Sequence, residues 1–407
     1  MPTLLQLVHG YPPHEVAGTE LYAQRVTDAL SRRGWTVHVL AATRAPGREH
    51  GTVIEEPLAS GKLLRVVNNL PWRPLGQAER DGMLEGRVKQ ALRRFQPDVV
   101  HVQHLLFLSA HLRLPNAVGT LHDGWAWCAR AGSMLHMGQS VCAGPSAERC
   151  IACYGDWAKG FAVEHALGRA AGSLSKVVAP ETLHKVWKRL PGRVRGLTRR
   201  GPAPGATPGD FDDRQKAVLG AYGRLRLLSP SLWLAQEAAR HGLEAEVLPH
   251  GADGGRPRVG GDGLVFIGSI APHKGAHLAS AVGATVYGPS TDARYAASVP
   301  NRGPLAPAEV PEVLARAEAL VMGSVWPENA PLVALEARAS GCPVIAPRIG
   351  GLPELVQDGV DGVLYEPGDL DDLKRAVAEM RARSWSPRPP LPFSDHIDRL
   401  LVHYRCG

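Results

Sequence analysis

The chain lacks a long hydrophobic run. No apolar segment approaches the roughly 18 residues that a membrane-spanning helix needs. The first residues, MPTLLQLVHG, contain neither the basic region nor the cleavage site of a signal peptide. We therefore expect a cytoplasmic protein.

Lysine is scarce, because only nine of the 46 basic residues are lysines and arginine carries most of the net charge of +7. An excess of this size suits an anionic ligand or a membrane surface. The sequence has no RNA-binding signature, zinc-finger spacing or basic heptad array, so we expect no nucleic-acid partner. The basic run at 184–200, HKVWKRLPGRVRGLTRR, either contacts an anionic acceptor or a membrane surface, or forms a solvated helical surface.

A nicotinamide-binding fingerprint is also missing. Such a site needs GxGxxG directly after the first strand and an acidic residue at the end of the next strand. HGYPPHEVAG is too long for that turn, and TVHVLAATR ends in Arg44. These departures argue against a dehydrogenase.

Cysteines are few, and four of the six fall in one short segment with the spacing C-x13-C-x7-C-x2-C. These four are Cys128, Cys142, Cys150 and Cys153. The clustering favours a metal site in a reducing compartment over disulfides. A structural zinc ion, an iron–sulfur cluster or disulfides, and plain buried thiols remain as alternatives.

The length of 407 residues predicts two domains, because one hydrophobic core stops growing at roughly 250 to 300 residues. Apolar strand-like runs alternate with helical patterns from TLLQLV at residues 3–8 onward, and the alternation restarts with LVFIGS. This order predicts two α/β domains, each with a doubly wound parallel sheet, that face a central cleft.

Composition places the boundaries. Residues 1–250 form the predicted first domain, with a cysteine-rich insert at about 124–157. GADGGRPRVGGDG at 251–263 has the composition of a linker. The predicted second domain covers 264–382, and the tail at 383–407 is expected to pack back on the first domain.

Three loops at strand ends are candidate binding sites. Gly18 and Thr19 open a helix after the first strand, where free amides can bind an anion, although Gly18 alone also fits a tight turn. His122 follows a strand and can hydrogen-bond a substrate hydroxyl, with Asp123 orienting its neighbours. Lys274 lies in GSIAPHKG at a helix start, a position typical of a phosphate site.

The stretch SVWPENAPLVALEA predicts a fourth candidate. Asn329 is the expected N-cap, and Pro331 suits the first turn of the helix. The amides of Ala330, Leu332 and Val333 are then free to bind an anion.

Two carboxylates flank this helix start, Glu328 before the helix and Glu336 about 7.5 Å along it from Pro331. Two acids along one helix axis do not face one sugar from both sides, as a glycosidase pair must. They suit the two ends of a long ligand with an anionic middle, and a nucleoside diphosphate sugar has that polarity.

These motifs together resemble the retaining family 4 glycosyltransferases, which have the GT-B fold. WPENAPLVALEA resembles their E-x7-E motif, GSIAPHKG their G-R-x-x-x-x-K-G motif, AGTE their N-terminal glycine loop and TLHD their histidine segment. The matches run in the order of the family over nearly the whole chain. The cysteine-rich insert resembles one found in a subset of the family.

The resemblance implies a role for each matching residue. Glu328 contacts the donor sugar, Glu336 holds the ribose hydroxyls, Lys274 binds the diphosphate and His122 binds the donor sugar. The remaining expected contacts to phosphate, sugar or acceptor oxygens come from Gly18, Thr19, Asn329, Ala330, Leu332 and Val333. The implied reaction retains configuration and uses no divalent metal, and the expected donor is linked to UDP or GDP.

Three features depart from the family pattern. Ser269 stands where the motif often has arginine, so a diphosphate contact is missing or comes from elsewhere. Ala17 stands where a second glycine is common, and the span from Lys274 to Arg302 is short. These departures keep two alternatives open: a catalytically impaired nucleotide-sugar-binding protein, and another GT-B activity such as a phosphorylase.

Overall fold

The computed structural model describes residues 1–45, 47–69, 75–77, 79–159, 206–290 and 293–405. The basic run at 184–200, and with it the predicted membrane or acceptor contact, lies outside these residues. None of the described helices is long and apolar enough to cross a membrane.

An eight-stranded sheet forms the centre of the first domain. Its strands are β1 (Thr3–Val8), β2 (Thr36–Thr43), β3 (Val53–Pro57), β4 (Lys62–Val67), β5 (Val99–Val102), β6 (Ala117–Thr120), β9 (Arg226–Ser229) and β10 (Ala245–Val247). Their spatial order is β10-β9-β6-β5-β1-β2-β4-β3, and every neighbouring pair is parallel except β3 with β4. A small hairpin, β7 (Leu135–His136) with β8 (Ser140–Val141), lies in the cysteine-rich insert.

Helices cover both faces of this sheet, which is why the successive residues from Leu4 to Val8 of β1 are all buried. Leu4 packs in the core that contains α1, and Leu5 packs in the core on the opposite face. The helices of the first domain are α1 (Gly18–Arg32), α2 (Gly82–Phe95), α3 (Ala147–Lys159), α4 (Pro208–Tyr222) and α5 (Leu232–Arg240). The predicted doubly wound α/β architecture is confirmed for this half of the chain.

The second domain has a five-stranded, fully parallel sheet. Its strands are β11 (Leu264–Ile267), β12 (Thr285–Tyr287), β13 (Ala319–Val321), β14 (Val344–Pro347) and β15 (Gly362–Tyr365), in the order β12-β11-β13-β14-β15. Its helices are α6 (Ala276–Ala281), α7 (Ala293–Ala297), α8 (Val310–Arg316), α9 (Leu332–Ala339), α10 (Leu352–Leu355) and α11 (Leu370–Arg381). Two cores, one on each face, again enclose the sheet.

The last helix, α12 (Phe393–Arg405), packs on the first domain beside α1. Buried hydrogen bonds join it there: Tyr22 Oη lies 2.8 Å from His396 Nε2, and His101 Nδ1 lies 2.6 Å from Tyr404 Oη. The C-terminal tail therefore crosses from the second domain back to the face of the first sheet that carries α1.

Candidate active site

The carboxyl ends of the two sheets border a space between the domains, which we call the interdomain cleft. It encloses about 510 Å³, within the range of about 300 to 1,000 Å³ that is typical of small-molecule sites. The strand order reverses between β1 and β5 in the first sheet and between β11 and β13 in the second. Loops at these reversal points are where open α/β sheets bind ligands.

The structure brings all eleven residues predicted for catalysis or donor binding to this cleft. They are Gly18, Thr19, His122, Ser269, Lys274, Glu328, Asn329, Ala330, Leu332, Val333 and Glu336. They come from four separate segments of the chain, so the fold makes them neighbours.

Glu328 and Lys274 form a partly enclosed ion pair. Lys274 Nζ donates to Glu328 Oε1 over 2.7 Å, and Ser324 Oγ donates to the same oxygen over 2.7 Å. Burial alone would raise the pKa of the Glu328 carboxyl, but the charge and hydrogen bond of Lys274 outweigh it and hold that pKa below its usual value. Glu328 is therefore a carboxylate at neutral pH.

Close backbone contact places Lys274 beside Glu328. Gly275 has φ +64° and lies so near Gly323 that a Cβ on Gly275 would be 1.8 Å from the Gly323 carbonyl oxygen. The ammonium group of Lys274 also lies 4.6 Å from the centre of the Trp326 ring, a distance at which a cation and an aromatic face attract. The final glycine of GSIAPHKG is thus needed for this approach.

The loop after β14 supports the other side of Glu328. Gly351 N donates to the Glu328 carbonyl over 2.7 Å. Gly350 has φ +62°, and a Cβ there would lie 2.1 Å from the same carbonyl oxygen. The paired glycines of RIGGLPE therefore let the β14–α10 loop touch the backbone of Glu328.

The prediction that Asn329 caps the helix is wrong. Helix α9 begins at Leu332, its N-cap is Pro331, and no side chain caps it. Asn329 instead connects the domains, because its Nδ2 donates to the carbonyls of Leu121 and His122 over 3.2 Å each, and its Oδ1 accepts from Ser231 over 2.6 Å. The sequence hides this role, since an N-cap and a long-range amide contact use the same residue type.

The first turn of α9 faces the cleft at Leu332 and Val333. First-turn amides have no partner inside a helix, and the partial positive charge of a helix N-terminus attracts anions. Glu336, one turn further along, forms an ion pair with Arg25 of α1. Sequence reasoning missed Arg25, because nothing in its own helix distinguishes it from other surface arginines.

His122 lines the cleft on the side of the first domain. Its Nε2 lies 2.9 Å from Gln103 Oε1, which can only accept, so Nε2 carries the proton and Nδ1 is free to accept. Burial, together with the charge of His104, lowers the pKa of His122 to about 3. Neutral His122 can therefore accept a hydrogen bond from a sugar hydroxyl. Asp123 orients neighbours as predicted, since its Oδ1 accepts from Trp125 N over 2.8 Å.

Sequence reasoning also missed a histidine–glutamate pair in the cleft. His9 Nε2 lies 3.0 Å from Glu20 Oε1, and both residues line the cleft at the end of β1 and the start of α1. Burial alone would raise the pKa of Glu20, but the charge of His9 lowers it to about 2. The AGTE motif pointed to Gly18 and Thr19, whereas its glutamate is the buried member of this pair.

Arg65 was missed because a charged residue interrupts the apolar pattern of KLLRVV. Its side chain is fully buried in β4. It donates to the carbonyls of Tyr11 and Pro12 over 2.8 and 2.7 Å. Arg65 thereby fixes the β1–α1 loop that leads to Gly18.

Cys150 and Cys153 lie on α3, Cys142 directly follows β8, and Cys128 precedes the β7–β8 hairpin. All four are free thiols. The sulfurs of Cys128 and Cys153 accept hydrogen bonds from the amides of Met134 and Met137 over 3.4 and 3.3 Å. Across the described ranges, no three or more His, Cys, Asp or Glu side chains gather closely enough to hold a metal. Structural zinc stays a prediction, which metal analysis of the purified protein tests.

Two family models match the chain. Residues 16–153 match the model described as Glycosyltransferase Family 4. Residues 264–382 match the model described as Glycosyl transferases group 1. The first match covers the loop of Gly18 and the segment of His122, and the second covers Lys274 and both glutamates.

Curated relatives carry glycosyltransferase names. The D-inositol 3-phosphate glycosyltransferase of Rhodococcus erythropolis is 27% identical over 96% of this chain and 87% of its own length. A protein of the same name from Catenulispora acidiphila is 39% identical over 103 residues, which are 23% of this chain and 24% of that protein. The match to that relative therefore spans about a quarter of its length.

Solved structures share the fold. Sucrose-phosphate synthase from Thermosynechococcus elongatus aligns with a TM-score of 0.60 at 15% identity, over 99% of this chain and 95% of its own. Anabaena HepE, solved in complex with UDP and glucose, aligns with a TM-score of 0.55 at 14% identity, over 98% of each chain.

The two sheets and their shared cleft define a GT-B glycosyltransferase fold. Each half of the chain also contains a segment similar to a glycosyltransferase domain, at residues 16–153 and at residues 264–382.

Proposed function

We propose that the protein transfers a sugar, with retention of configuration, from a nucleoside diphosphate sugar to an acceptor bound mainly by the first domain. The observation that carries this proposal is the sequence of groups along one wall of the cleft. Glu328 with Lys274, the first turn of α9 and Glu336 follow one another there. They match the sugar, diphosphate and ribose of such a donor.

Each end of the donor has a group suited to it. Glu328 is held as a carboxylate by Lys274, so its negative charge can stabilise the oxocarbenium-like transition state. Lys274 and the amides of Leu332 and Val333 offer positive charge to the diphosphate. Glu336 accepts hydrogen bonds from the ribose hydroxyls, and neutral His122 accepts one from the sugar.

In the proposed reaction the bond between the anomeric carbon and the diphosphate oxygen breaks. A bond from the acceptor oxygen to that carbon forms on the same face, and the acceptor proton passes to the departing diphosphate. Lys274 and the helix amides stabilise the charge that develops on the leaving group, so we propose that no divalent metal takes part. Activity in the presence of a chelator tests this point.

The donor is proposed to carry UDP or GDP. UDP has the support of HepE, whose structures were solved with UDP, with UDP and glucose, and with UDP-glucose. The acceptor remains a natural product or a cell-surface glycan in this proposal. A cytoplasmic location is proposed as well, in keeping with the free thiols of the described cysteines.

A panel of nucleotide sugars tests the donor. A ligand at 100 times its dissociation constant stabilises the folded state by about 2.7 kcal/mol. We expect one UDP- or GDP-linked sugar to raise the melting temperature clearly more than the others. That sugar should then release nucleoside diphosphate when extracts containing candidate acceptors are added.

Two results would change the assignment. A protein that binds a nucleotide sugar but releases no nucleoside diphosphate with any acceptor extract would be a binding protein, the alternative that Ser269 supports. A protein that binds no nucleotide sugar and instead consumes free phosphate would have a phosphorylase activity.

A further inference from the structure

Arg25 connects the two walls of the interdomain cleft. It lies on α1 of the first domain, and its guanidinium forms an ion pair with Glu336 on α9 of the second domain. Arg25 follows Gly18 by seven residues, which is about two helical turns, so the two residues lie on the same side of α1. Both line the cleft, and the Arg25 side chain is 31% exposed there.

Both cationic side chains identified in the cleft, Arg25 and Lys274, form ion pairs with glutamates. Among the described residues that line it, Arg25 and Lys274 are the two lysine or arginine side chains. Each is paired with one of the two glutamates proposed to bind the donor: Lys274 with Glu328 over 2.7 Å, and Arg25 with Glu336. A ligand with hydroxyls for the carboxylates and an anionic group for the cations can therefore compete for both pairs.

The negative charge on the diphosphate increases as the sugar leaves, so a second cation beside Lys274 would stabilise the leaving group. Lys274 supplies one charge from the second domain. Ser269 stands where family 4 enzymes often have an arginine, so it supplies none. Arginine is suited to this task because its planar guanidinium donates two parallel hydrogen bonds to phosphate oxygens.

We propose that Arg25 binds the donor diphosphate and supplies, from the first domain, the charge that Ser269 does not. When the donor enters, the ribose hydroxyls bond to Glu336, and the guanidinium turns from Glu336 to the phosphate oxygens. This inference rests on the proposed function, since it assumes a nucleoside diphosphate donor. It makes α1 part of the donor site as well as part of the acceptor-binding domain.

Calorimetric titration of Arg25→Gln with UDP, GDP and their nucleosides tests the inference. We expect the variant to bind the favoured diphosphate about 10- to 100-fold more weakly, as expected for loss of a charged hydrogen bond. Its affinity for the matching nucleoside should stay equal or rise, because Glu336 no longer has a competing partner. Arg25→Lys should retain part of the diphosphate affinity.

Arg32→Gln is the matched control, because Arg32 is an exposed residue of the same helix that does not line the cleft. It should bind both ligands like the wild type. If Arg25→Gln binds the diphosphate as tightly as the wild type or more tightly, Arg25 only competes with ribose for Glu336 and the inference is wrong. Equal weakening for nucleoside and diphosphate would also overturn it, since that pattern indicates a structural role. If the wild type itself binds no nucleotide, the proposed function fails first.

Discussion

Glu328 and Glu336 are the same residue type eight positions apart, but their surroundings differ. Glu328 is 5% exposed and is held by Lys274 and Ser324 of its own domain. Glu336 is paired with Arg25 of the other domain. The first carboxylate is therefore held by groups of its own domain, whereas the second is held by a partner across the cleft.

This difference predicts separate effects of two substitutions. Glu328→Gln should lower the transfer rate about 100-fold or more, because it removes a charge aimed at the transition state. Its nucleotide affinity should stay the same or rise, since Lys274 is released toward the diphosphate. Glu336→Gln should weaken nucleoside binding about tenfold, because the neutral amide is a poorer acceptor for ribose hydroxyls.

Steady-state rates with the identified donor, together with calorimetric affinities for nucleoside and nucleoside diphosphate, measure the two effects. The substitutions preserve side-chain size, so each variant is compared with the wild type at matched folded fraction. Equal loss of nucleotide affinity in both variants would mean that the two glutamates do not divide the donor as proposed.

At the scale of elements, Gly18 at the start of α1 and Gly350 in the β14–α10 loop differ in whether the structure leaves space for a side chain. Gly18 opens α1 with ordinary backbone geometry, and a Cβ there would meet no atom within 4 Å. A Cβ on Gly350 would instead collide with the Glu328 carbonyl. The turn explanation for Gly18 is therefore not supported, and its open side faces the cleft.

Gly18→Ala should leave the free energy of unfolding within about 0.5 kcal/mol of the wild type, as is usual for surface substitutions. It should weaken donor or acceptor binding, because the added methyl group occupies space beside the first-turn amides of α1. Denaturant unfolding and the KM for the donor measure the two quantities.

Gly350→Ala is the contrasting variant. It should lose stability by about 1 to 3 kcal/mol from its strained conformation, and it should lose activity because Glu328 is displaced.

A Gly18→Ala enzyme with wild-type KM for both substrates would show that nothing binds against the start of α1.

Periodicity was sufficient for most elements. The run TLLQLV coincides with β1 and LVFIGS contains β11, whereas the short helix α7 and the strand β15 were not predicted. The pattern did not reveal β3 and β4, because β3 is a half-exposed edge strand and β4 contains the buried Arg65. Such an arginine is identifiable only from its tertiary partners.

The candidate site was likewise predictable where local sequence defines it and not where tertiary contacts define it. Helix starts and strand ends indicated the second-domain wall, since those groups are close in sequence. Arg25, Glu20 and the true role of Asn329 depend on contacts across more than one element or across the domains. Local spacing carries no information about such partners, which is why these residues were missed or misread.

At the scale of the whole molecule, buried histidines join the parts of the protein. His396 of α12 contacts Tyr22 of α1, and His250 stacks on the same tyrosine with ring centres 4.1 Å apart. His101 bonds to Tyr404 of α12 on the first sheet. The packing of the tail thus depends on imidazoles that are uncharged in the folded state.

These histidines give stability a predictable pH dependence. Burial lowers the pKa of His101 to about 3 and that of His396 to about 4, and it holds the pKa of His250 well below its usual value. Unfolded histidines have a pKa near 6.5, so below this pH the unfolded chain binds protons that the folded chain does not. The stability contributed by neutral burial is complete above pH 6.5 and is lost as the pH falls toward the folded values.

Urea unfolding at pH 7, 6 and 5 measures this loss, to which each of the three histidines contributes up to about 2 kcal/mol at pH 5. Carboxyl groups with a lowered pKa, such as Glu20, do not mask it, because they lose their contribution only as the pH falls through about 4.5 toward the folded value of about 2. Burial raises the pKa of Glu79 and Asp28, so these two carboxyls oppose the loss as the pH falls. His9 acts in the opposite direction, since Glu20 outweighs burial and raises its pKa, so its contribution is present below pH 6.5 and is lost as the pH rises through its folded pKa.

The variant His396→Gln isolates the contribution of one histidine. Between pH 6.5 and 5 it should make the unfolding free energy less dependent on pH, by up to about 1.4 kcal/mol per pH unit, which corresponds to one proton. An unfolding free energy that is equal at pH 7 and pH 5 would mean that these imidazoles are accessible to protons in the folded protein, and that the tail does not seal them against the first domain.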